Sequence, residues 1–475
     1  MGTILQSHDM RLARDVCVRI GKTFFIIQDV LISQDAVQRL MTLEIELKFI
    51  ASPAAIAELP EQLAAFTSTH SAPQKLTNIY YETADNRLRK LDMGLRIRGF
   101  DDSYEMTIKT AGKVVAGLHQ RPEYNVSIAK PELDLSLFPA DIWPQGCDVS
   151  ALQAELAPLF RTDFVREKWV ITYQQSQIEL GLDQGNVTAG ELSESLSEIE
   201  LEIKEGNTAD LLALAALLGK NGGLRLGGLS KAARGYHLAQ GNVLREPRPL
   251  KVFHAAPKAT VEQALSGMLE LSLAHWQYHE ELWVRGDKAV RINVLQGVEA
   301  VRQTLVIYGG LIPRKASTEL RALLTELAEK LDQKGLDAQE VCLSARYLEC
   351  KLALTSWIAN EAWKPFIDDK SQKKLDGSFK RFCDVMLGRT AAELKDAFAQ
   401  SLTEEGFRDQ LARLKRQIIS FHLLSGAYPL EESMAYITVW TELQQAIVQQ
   451  QHAWEDSARQ HALMQPAFWL NGQPR

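Results

Sequence analysis

Ionisable side chains stand at every second position along several stretches of the chain. Between Leu43 and Phe49, the residues Glu44, Glu46 and Lys48 alternate with apolar residues. Because successive side chains of a β-strand point to opposite faces, this pattern predicts a strand with one apolar and one charged face. Clustered carboxylates bind divalent cations, and clustered Arg and Lys side chains hold phosphate oxygens. For one isolated strand an ordinary solvated face is the expected reading, whereas a tunnel lined by both signs would suit a polyanion together with a divalent cation.

Similar charged faces recur through the first half, and their sign changes from strand to strand. Basic faces carry Arg96 with Arg98 and Arg166 with Lys168, and a second acidic face carries Glu198, Glu200 and Glu202. If these faces point outward, they form an ordinary solvated surface. If the sheet curls into a barrel with the faces inward, they line a polar tunnel. Periodicity alone does not choose between the two orientations.

Strand and helix patterns then give the elements that must position these residues. The predicted strands are Leu43–Phe49, Leu76–Glu82, Leu95–Arg98, Tyr104–Lys109, His119–Ser127, Phe164–Tyr173, Gln177–Asp183 and Leu196–Ile203. Two helices, Pro53–Phe66 and Ala151–Phe160, are predicted between them. Pro122 restricts its strand to an edge, a bulge or a strand start, because proline lacks the N–H that a ladder requires.

Length and composition limit the class of protein. At 475 residues the chain is expected to form two domains. A net charge of −7 does not suggest a nucleic-acid partner, and no stretch reaches the roughly 18 apolar residues that span a membrane. The five cysteines include no CxxC pair, which argues against a disulfide framework or a zinc site. A reducing, cytoplasmic compartment fits this cysteine usage best.

Residues 1–40 are predicted to be an extension without a chemical role. The apolar run Phe24–Ile27 follows several basic residues, but Gln28 and Asp29 end it too early for a signal peptide. Met41 stands directly before the first charged strand, and we expect it to be the natural start. The intact mass of the natively expressed protein tests this expectation.

The second half changes from strand to helix patterns. Pro247, Pro249 and Pro257 mark a linker over residues 241–257, and an all-α bundle is predicted over 258–475. Predicted helices are Glu262–Trp283, Asp287–Tyr308, Ser317–Leu331, Ala338–Trp357 and Glu432–Gln449, with an apolar helical stripe at Phe407, Leu411, Leu414, Ile418 and Phe421. Trp276, Trp283, Trp357 and Trp363 are expected in the core.

Taken together, the first-half motifs resemble the CYTH superfamily, the triphosphate tunnel metalloenzymes. Glu44-Ile45-Glu46-Leu47-Lys48 matches the family's E-x-E-x-K signature, and Leu95-Arg96-Ile97-Arg98 matches its LRxR strand. The segment from Glu105 to Lys109 resembles its E-x-x-x-K strand, and Lys231 falls in family order near the end of the region. Asn78 and Glu82 depart from the pattern, since many members carry aspartates there. The resemblance covers about residues 41–240.

The resemblance implies an α+β fold with a closed eight-stranded antiparallel β tunnel, helices outside it, and hydrolysis of a triphosphate with Mg²⁺ or Mn²⁺. The implied metal ligands are Glu44, Glu46, Asp183, Glu198 and Glu200, with Glu202 ranked lower. The implied phosphate-binding residues are Lys48, Arg96, Arg98, Lys109, Arg166, Lys168 and Lys231. Glu123 occupies the place of an acidic tunnel residue. Related enzymes pair the motif lysine with a tyrosine, which suggests Lys48 and Tyr80 at the reacting centre, with a lowered Lys48 pKa that makes it a base.

The helical second half resembles the CHAD domain, which is often joined to CYTH and is thought to bind polyphosphate. In the helix over Ile292–Arg302 only Arg302 survives from the expected basic pattern. A later helix keeps Arg408, Arg413, Lys415 and Arg416, but Gln410 replaces the expected histidine. We therefore expect weak polyphosphate binding at most, with a structural or regulatory role for this domain.

Three functions remain open at this stage. The order of the two regions is similar to bacterial inorganic triphosphatases, which favours hydrolysis of tripolyphosphate. A class IV-type adenylate cyclase, or a triphosphatase acting on an organic substrate such as thiamine triphosphate, would use the same tunnel. A non-catalytic polyphosphate-binding protein is the third reading, although anion binding alone does not require clustered glutamates.

Overall fold

A computed structural model describes residues 18–20, 23–25, 41–227 and 229–470. Outside the barrel, β1 (Val18–Ile20) and β2 (Thr23–Phe25) pair as a short hairpin. The expectation about residues 1–40 falls mainly outside the described residues. The remaining strands are β3 (Met41–Ala51), β4 (Thr67–Glu82), β5 (Gly94–Phe100), β6 (Ser103–Lys109), β7 (Lys113–Val115), β8 (Leu118–Ile128), β9 (Ala157–Tyr173), β10 (Ser176–Ala189), β11 (Leu192–Glu205) and β12 (Leu224–Leu226).

Within the described part, eight antiparallel strands close into a barrel. Their order is β3-β11-β10-β9-β4-β5-β6-β8, and β8 pairs again with β3 to complete the ring. The short strands β7 and β12 pair at the sides of β8 and β3. The helices packed around these strands are α1 (Pro53–Leu63), α2 (Arg87–Lys90), α3 (Val149–Glu155), α4 (Thr208–Leu218) and α5 (Lys231–Ala239). The predicted fold class, a closed eight-stranded tunnel with outer helices, is confirmed.

The barrel turns its charged faces inward, which decides the question that periodicity left open. Leu47, Ile178 and Leu201 alternate with the charged residues and pack outward in one apolar cluster beneath α1 and α4. Burying each of these side chains contributes about 1.5–3 kcal/mol relative to exposure. Since the outer faces have helices to cover them, the ionisable residues are left to fill the barrel interior.

Some predicted boundaries are wrong. The helix expected over Ala151–Phe160 ends at Glu155, and Phe160 lies in β9, where it stacks on Tyr80 with ring centroids 4.5 Å apart. This contact with a neighbouring strand outweighs the local helical composition. Strand β4 begins at Thr67, well before Leu76, because the polar segment between them pairs with β9. Pro122 lies within β8 beside the end of the β6 ladder, which runs no further than Glu123.

One end of the barrel is closed by aromatic rings and helix α5. The ring of Phe160 stacks on Tyr80 and meets the edge of Tyr236, whose centroid lies 5.2 Å away. Behind them, the buried carboxylate of Glu82 accepts from Tyr236 Oη at 2.7 Å and from the amide N–H groups of Leu88 and Arg89. Glu82 therefore fixes the closed end and the start of α2, away from the tunnel cavity.

Replacing Gly235 by alanine is expected to destabilise the protein by about 2 kcal/mol. A methyl group at this position of α5 would stand 2.0 Å from the Phe160 ring, and that ring is held from both sides. Urea denaturation measures the change in unfolding free energy. Gly309→Ala is the control, because nothing lies within 4 Å of its added methyl group, and we expect a change within about 0.5 kcal/mol. Equal stability of the two variants would contradict this packing.

The second half is a bundle of helices. They are α6 (Val261–Val284), α7 (Arg291–Ile307), α8 (Thr318–Asp332), α9 (Ala338–Cys342), α10 (Ala345–Ala359), α11 (Asp369–Leu375), α12 (Phe379–Ala397), α13 (Glu404–Leu424), α14 (Leu430–Val448) and α15 (His452–Met464). The helix predicted over Ala338–Trp357 is two helices, because Leu343 pairs its carbonyl with the barrel's Gly223 N–H and Ser344 caps the second helix. The four tryptophans predicted in the core are buried.

The helical bundle packs directly on the barrel. Leu348 and Leu352 of α10 join the apolar cluster that covers the outer barrel face. At the same contact, Arg225 of β12 meets the carboxylates of Glu280 and Glu281 on α6, at 3.2 and 2.9 Å. Among the described residues, no helix combines the length and the hydropathy needed to cross a lipid bilayer.

Candidate functional site

The barrel encloses a cavity of about 890 Å³ whose wall carries both signs of charge. Strands from the whole circumference contribute to it, so residues far apart in sequence meet there. The predicted residues on its wall are Glu44, Glu46, Lys48, Tyr80, Arg96, Arg98, Lys109, Glu123, Arg166, Lys168, Glu200 and Lys231. The other two predicted residues, Asp183 and Glu198, lie just behind the wall and are fully buried.

Lys231 covers the two buried carboxylates. It begins helix α5, and its ammonium nitrogen lies 2.7 Å from Asp183 Oδ2, 2.8 Å from Glu198 Oε2 and 2.8 Å from Glu200 Oε1. Burial alone lowers the pKa of Lys231, but these three carboxylates overcome it and raise the pKa above its usual value. The same lysine therefore stays charged and faces the cavity.

Arg166 contacts two of these three carboxylates, Asp183 and Glu200. Its guanidinium forms a bidentate pair with Asp183, with both N–O distances at 2.6 Å, and also reaches Glu200. Because the planar guanidinium binds both carboxylate oxygens, this pair fixes the orientation of Asp183 and also neutralises its charge. Burial alone raises the pKa of Glu200, but Lys231, Lys48 and Arg166 lower it far below its usual value, so Glu200 is a permanent anion.

The prediction that Lys48 has a lowered pKa is wrong. Its ammonium lies 3.0 Å from Glu46 Oε1 and 2.8 Å from Glu200 Oε1. Burial lowers the pKa of Lys48, but Glu200 and Glu46 raise it by more, to well above the usual value. Its predicted partner Tyr80 stands opposite Arg96 in the β4–β5 register. In this arrangement Lys48 is a cation that joins β3 to Glu200 of β11.

Glu123 lies on β8, the strand that pairs with the β3 strand of Glu44 and Lys48, and it is held between two cations. Its carboxylate oxygens lie 3.3 Å from Arg96 Nη2 and 3.4 Å from Lys109 Nζ, and Lys109 also pairs with Glu44. Burial raises the pKa of Glu123, but Lys109 and Arg96 lower it to about 2. A carboxyl group with this pKa donates no proton near neutral pH, so Glu123 serves to position the cations around it.

Arg98 is the least compensated predicted cation. Its Nε donates to the uncharged amide oxygen of Asn78 at 2.9 Å, and Asn78 is held in turn by Thr162 at 2.8 Å. Burial and the neighbouring guanidiniums of Arg96 and Arg166 lower the pKa of Arg98 to about 10. Because the surrounding charge is net positive there, this part of the wall would gain most from a bound anion.

The site contains residues that sequence reasoning missed or ranked low. Glu202 faces the cavity directly across from Glu46 in the β11–β3 register. Glu179 and Lys204 line the wall near Lys168, whose ammonium lies 3.4 Å from Glu179 Oε2. Strand parity contained the signal for all three of these residues, since each lies two positions from another inward-facing residue. Arg234 follows Lys231 by one helical turn and lies 3.4 Å from Glu198 Oε1, a contact that no local pattern indicates.

The carboxylates fit a divalent cation. One ligand oxygen each from Asp183, Glu198 and Glu200 lies within 4.8 Å of the others, although Lys231 now fills the space between them. Toward the cavity, burial raises the pKa of Glu46 despite Lys48, and neighbouring Glu200 and Glu44 raise it further. Burial likewise raises the pKa of Glu202. Carboxylate oxygens of this kind are the ligands that hard divalent cations take.

In the helical half, two of the basic residues considered for polyphosphate are already paired. Arg302 Nη1 lies 2.6 Å from Glu299, and Arg413 lies 3.2 Å from Glu393 and donates to Gln410 at 2.6 Å. Both pairs are partly exposed and would compete only weakly with a bound polyanion. Weak polyphosphate binding and a structural or regulatory role of this half both stay predictions.

Comparison with known proteins identifies two domains in the chain. Residues 42–236 match the model of the CYTH domain, and residues 267–461 match that of the CHAD domain. A curated relative named inorganic triphosphatase, from Haemophilus influenzae, is 41% identical over 210 residues. The match covers 44% of this chain and 58% of that relative.

Two solved structures are similar to separate parts of the chain. One is a Hippeastrum protein described as an adenylyl cyclase with a dominant triphosphatase activity, at 25% identity, covering 41% of this chain and 95% of that one with a TM-score of 0.32. The other is the CHAD domain of Ricinus communis, at 18% identity, covering 46% of this chain and 89% of that one with a TM-score of 0.33. With TM-scores this low, neither carries an argument about activity.

Proposed function

We propose that this chain, a CYTH domain followed by a CHAD domain, hydrolyses inorganic triphosphate to pyrophosphate and phosphate with Mg²⁺ or Mn²⁺. The observation that carries the proposal is the cavity within the barrel, in which carboxylates and cations from nearly every strand meet. A purely basic cavity would hold an anion equally well, whereas clustered carboxylates are what a divalent cation needs. The relative named inorganic triphosphatase supports the same substrate class.

The cations of the wall are proposed to hold the phosphate oxygens. Taking a highly charged anion out of water requires cations that are already oriented, since reorganisation would cost part of the binding energy. Among the described residues Arg98 donates to the uncharged Asn78 amide and forms no ion pair with a carboxylate, so it is proposed to engage substrate oxygens first. Arg96, Lys109, Arg166, Lys168, Lys231 and Lys48 are proposed to complete the phosphate contacts around the cavity.

Glu44, Glu46 and Glu200 are proposed to hold the metal, with Glu202 as a further ligand. A divalent cation bound there supplies Lewis-acid stabilisation of phosphate oxygens and a more acidic bound water. Asp183 and Glu198 lie behind Lys231, so their proposed part is to fix that ammonium and Glu200 in place. Phosphoryl transfer depends mainly on positioning and charge, which this network of paired groups provides.

The closed end is proposed to limit the entry of bulk water from that side, so that the attacking water is one held within the cavity. Tyr80, Phe160 and Tyr236 pack together there, and Tyr80 stands opposite Arg96 in the β4–β5 register. Excluding water strengthens each charge interaction in the cavity because the local dielectric falls.

Incubating the purified full chain with tripolyphosphate, ATP or thiamine triphosphate, each with Mg²⁺ or Mn²⁺, tests the proposal. We expect phosphate release that is fastest from tripolyphosphate and that stops when EDTA removes the metal. Phosphate and cyclic AMP are measured in the same samples. Formation of cyclic AMP with pyrophosphate and without phosphate would instead support the cyclase reading. Tight binding of long-chain polyphosphate without any turnover would reject hydrolysis.

A further inference from the structure

A continuous series of ion pairs joins the helical domain to the carboxylates beside the cavity. At its helical end, Glu281 accepts from Arg225 Nη1 at 2.9 Å and from Arg285 Nε at 2.7 Å. Arg285 then donates from its two Nη atoms to both carboxylate oxygens of Glu194, at 3.2 and 2.9 Å. Arg285 ends helix α6, whereas Glu194 lies on β11 of the barrel.

On the barrel side, Arg234 lies between two carboxylates. Its Nε is 3.5 Å from Glu194 Oε1, and its Nη2 is 3.4 Å from Glu198 Oε1. Arg234 Nε and Glu198 Oε1 are both buried, and neither makes a hydrogen bond within the described part of the chain. Arg234 Nη1 also donates to the backbone carbonyl of Ser195 at 3.3 Å. This contact anchors one nitrogen, and the orientation of the other two depends on the balance of charge between Glu194 and Glu198.

Arg285 sets this balance. While its bidentate contact neutralises Glu194, the charge of Arg234 remains available to Glu198. Without Arg285, Glu194 would attract Arg234, and Glu198 would then depend on Lys231 alone. Lys231 already shares its ammonium among three carboxylates, so a stronger pull from Glu198 would hold it back from an anion in the cavity.

We propose that Arg285 of the helical domain is a positioning residue for the tunnel, which controls the affinity for a triphosphate through Glu194, Arg234 and Glu198. The inference rests on the proposed function for the identity of the anion. It gives the helical domain a part in substrate binding that requires no ligand of its own.

Calorimetric titration of the full chain with tripolyphosphate, in the absence of a divalent cation, tests this role without turnover. We expect Arg285→Gln to weaken binding about threefold to tenfold, which is the usual range of coupling between linked sites. In steady-state assays with Mg²⁺, KM should rise by a similar factor while kcat stays within about twofold. Arg285→Lys keeps one contact to Glu194 and should recover most of the affinity.

A second substitution separates positioning from a general structural effect. If binding weakens because the Glu194 carboxylate has lost Arg285 as its counter-charge, then removing that carboxylate should restore it. Glu194→Gln in the Arg285→Gln background is expected to bind within about twofold of the unmodified chain. Arg346→Gln is the matched control, because this arginine pairs with exposed Glu326 and Glu349 on the helical side only. It should leave affinity unchanged.

The outcomes distinguish this inference from the proposed activity. Unaltered affinity in Arg285→Gln, or a double variant that binds no better than the single one, overturns the positioning role while hydrolysis stands. A chain that binds tripolyphosphate without hydrolysing it rejects the proposed reaction, and the rescue by Glu194→Gln would still support the inference. A chain that neither binds nor hydrolyses tripolyphosphate overturns both.

Discussion

Replacing Glu46 by glutamine is expected to lower kcat/KM for tripolyphosphate at least about a hundredfold. Glu46 faces the cavity beside Lys48 and across from Glu202, and we propose it as a metal ligand. An amide is a much weaker ligand for a hard cation than a carboxylate, and even the loss of residues that only support a metal ligand costs about 10- to 100-fold. Steady-state phosphate release over a range of Mg²⁺ concentrations measures the effect.

The same substitution should not destabilise the fold. Since burial raises the pKa of Glu46, its ionised form is less favourable in the folded protein than in the unfolded chain. Removing that charge at neutral pH should therefore leave the unfolding temperature unchanged or slightly raised. Loss of activity without loss of stability is the expected signature of a functional carboxylate.

Glu167→Gln provides the matched control for Glu46→Gln. Glu167 lies between Arg166 and Lys168 on β9, so its side chain points to the outer face of the barrel. There its carboxylate lies 2.7 Å from His70 Nε2. We expect its activity to stay within about twofold of the unmodified chain. Full activity in Glu46→Gln, or an equal loss in both variants, would refute the metal-site assignment.

Replacing Glu280 by glutamine is expected to destabilise the protein by about 3–5 kcal/mol. This carboxylate is 1% exposed and accepts from Tyr347 Oη at 2.6 Å, Lys351 Nζ at 2.9 Å and Arg225 Nη1 at 3.2 Å. An amide leaves buried Lys351 without a counter-charge and leaves Arg225 with Glu281 alone, which is the costly way to break a buried ion pair. Equilibrium unfolding in urea, followed by circular dichroism, measures the loss.

Two further variants identify the cause of the Glu280 effect. Lys351→Met in the same background removes the cation that lost its counter-charge and should restore part of the stability. Glu349→Gln breaks an exposed pair with Arg346 and should change the unfolding free energy by less than about 1 kcal/mol. An additive double variant would show that Glu280 and Lys351 do not act as a pair.

The inward direction of the charged faces could not be predicted from one strand, because it depends on the whole fold. Alternation of Glu44, Glu46 and Lys48 predicted the strand, yet the same alternation suits a wet outer surface. Only the pairing of β3 with both β11 and β8 closes the barrel and gives the apolar faces a cover of helices. The orientation follows from that closure, because an apolar face gains more from burial than a charged one.

Contacts between residues on different strands also decided which predicted groups pair. The sequence placed Lys48 and Tyr80 together by resemblance, whereas the barrel register places carboxylates beside Lys48 and Arg96 beside Tyr80. The pKa of Lys48 therefore changes in the direction opposite to the prediction. A pKa depends on the distances to surrounding charges, and strand parity does not provide those distances.

The sequence by itself determined the strand and helix character of the two halves, the tunnel family and the parity of the cavity residues, because these follow from periods of two and 3.6 and from local motifs. The tertiary structure alone decided that Asp183 and Glu198 lie behind Lys231, that Arg234 lies next to Glu198, and that the helical domain reaches these groups through Arg285. These contacts join residues distant along the chain, and their geometry depends on strand register and on how the bundle packs against the barrel.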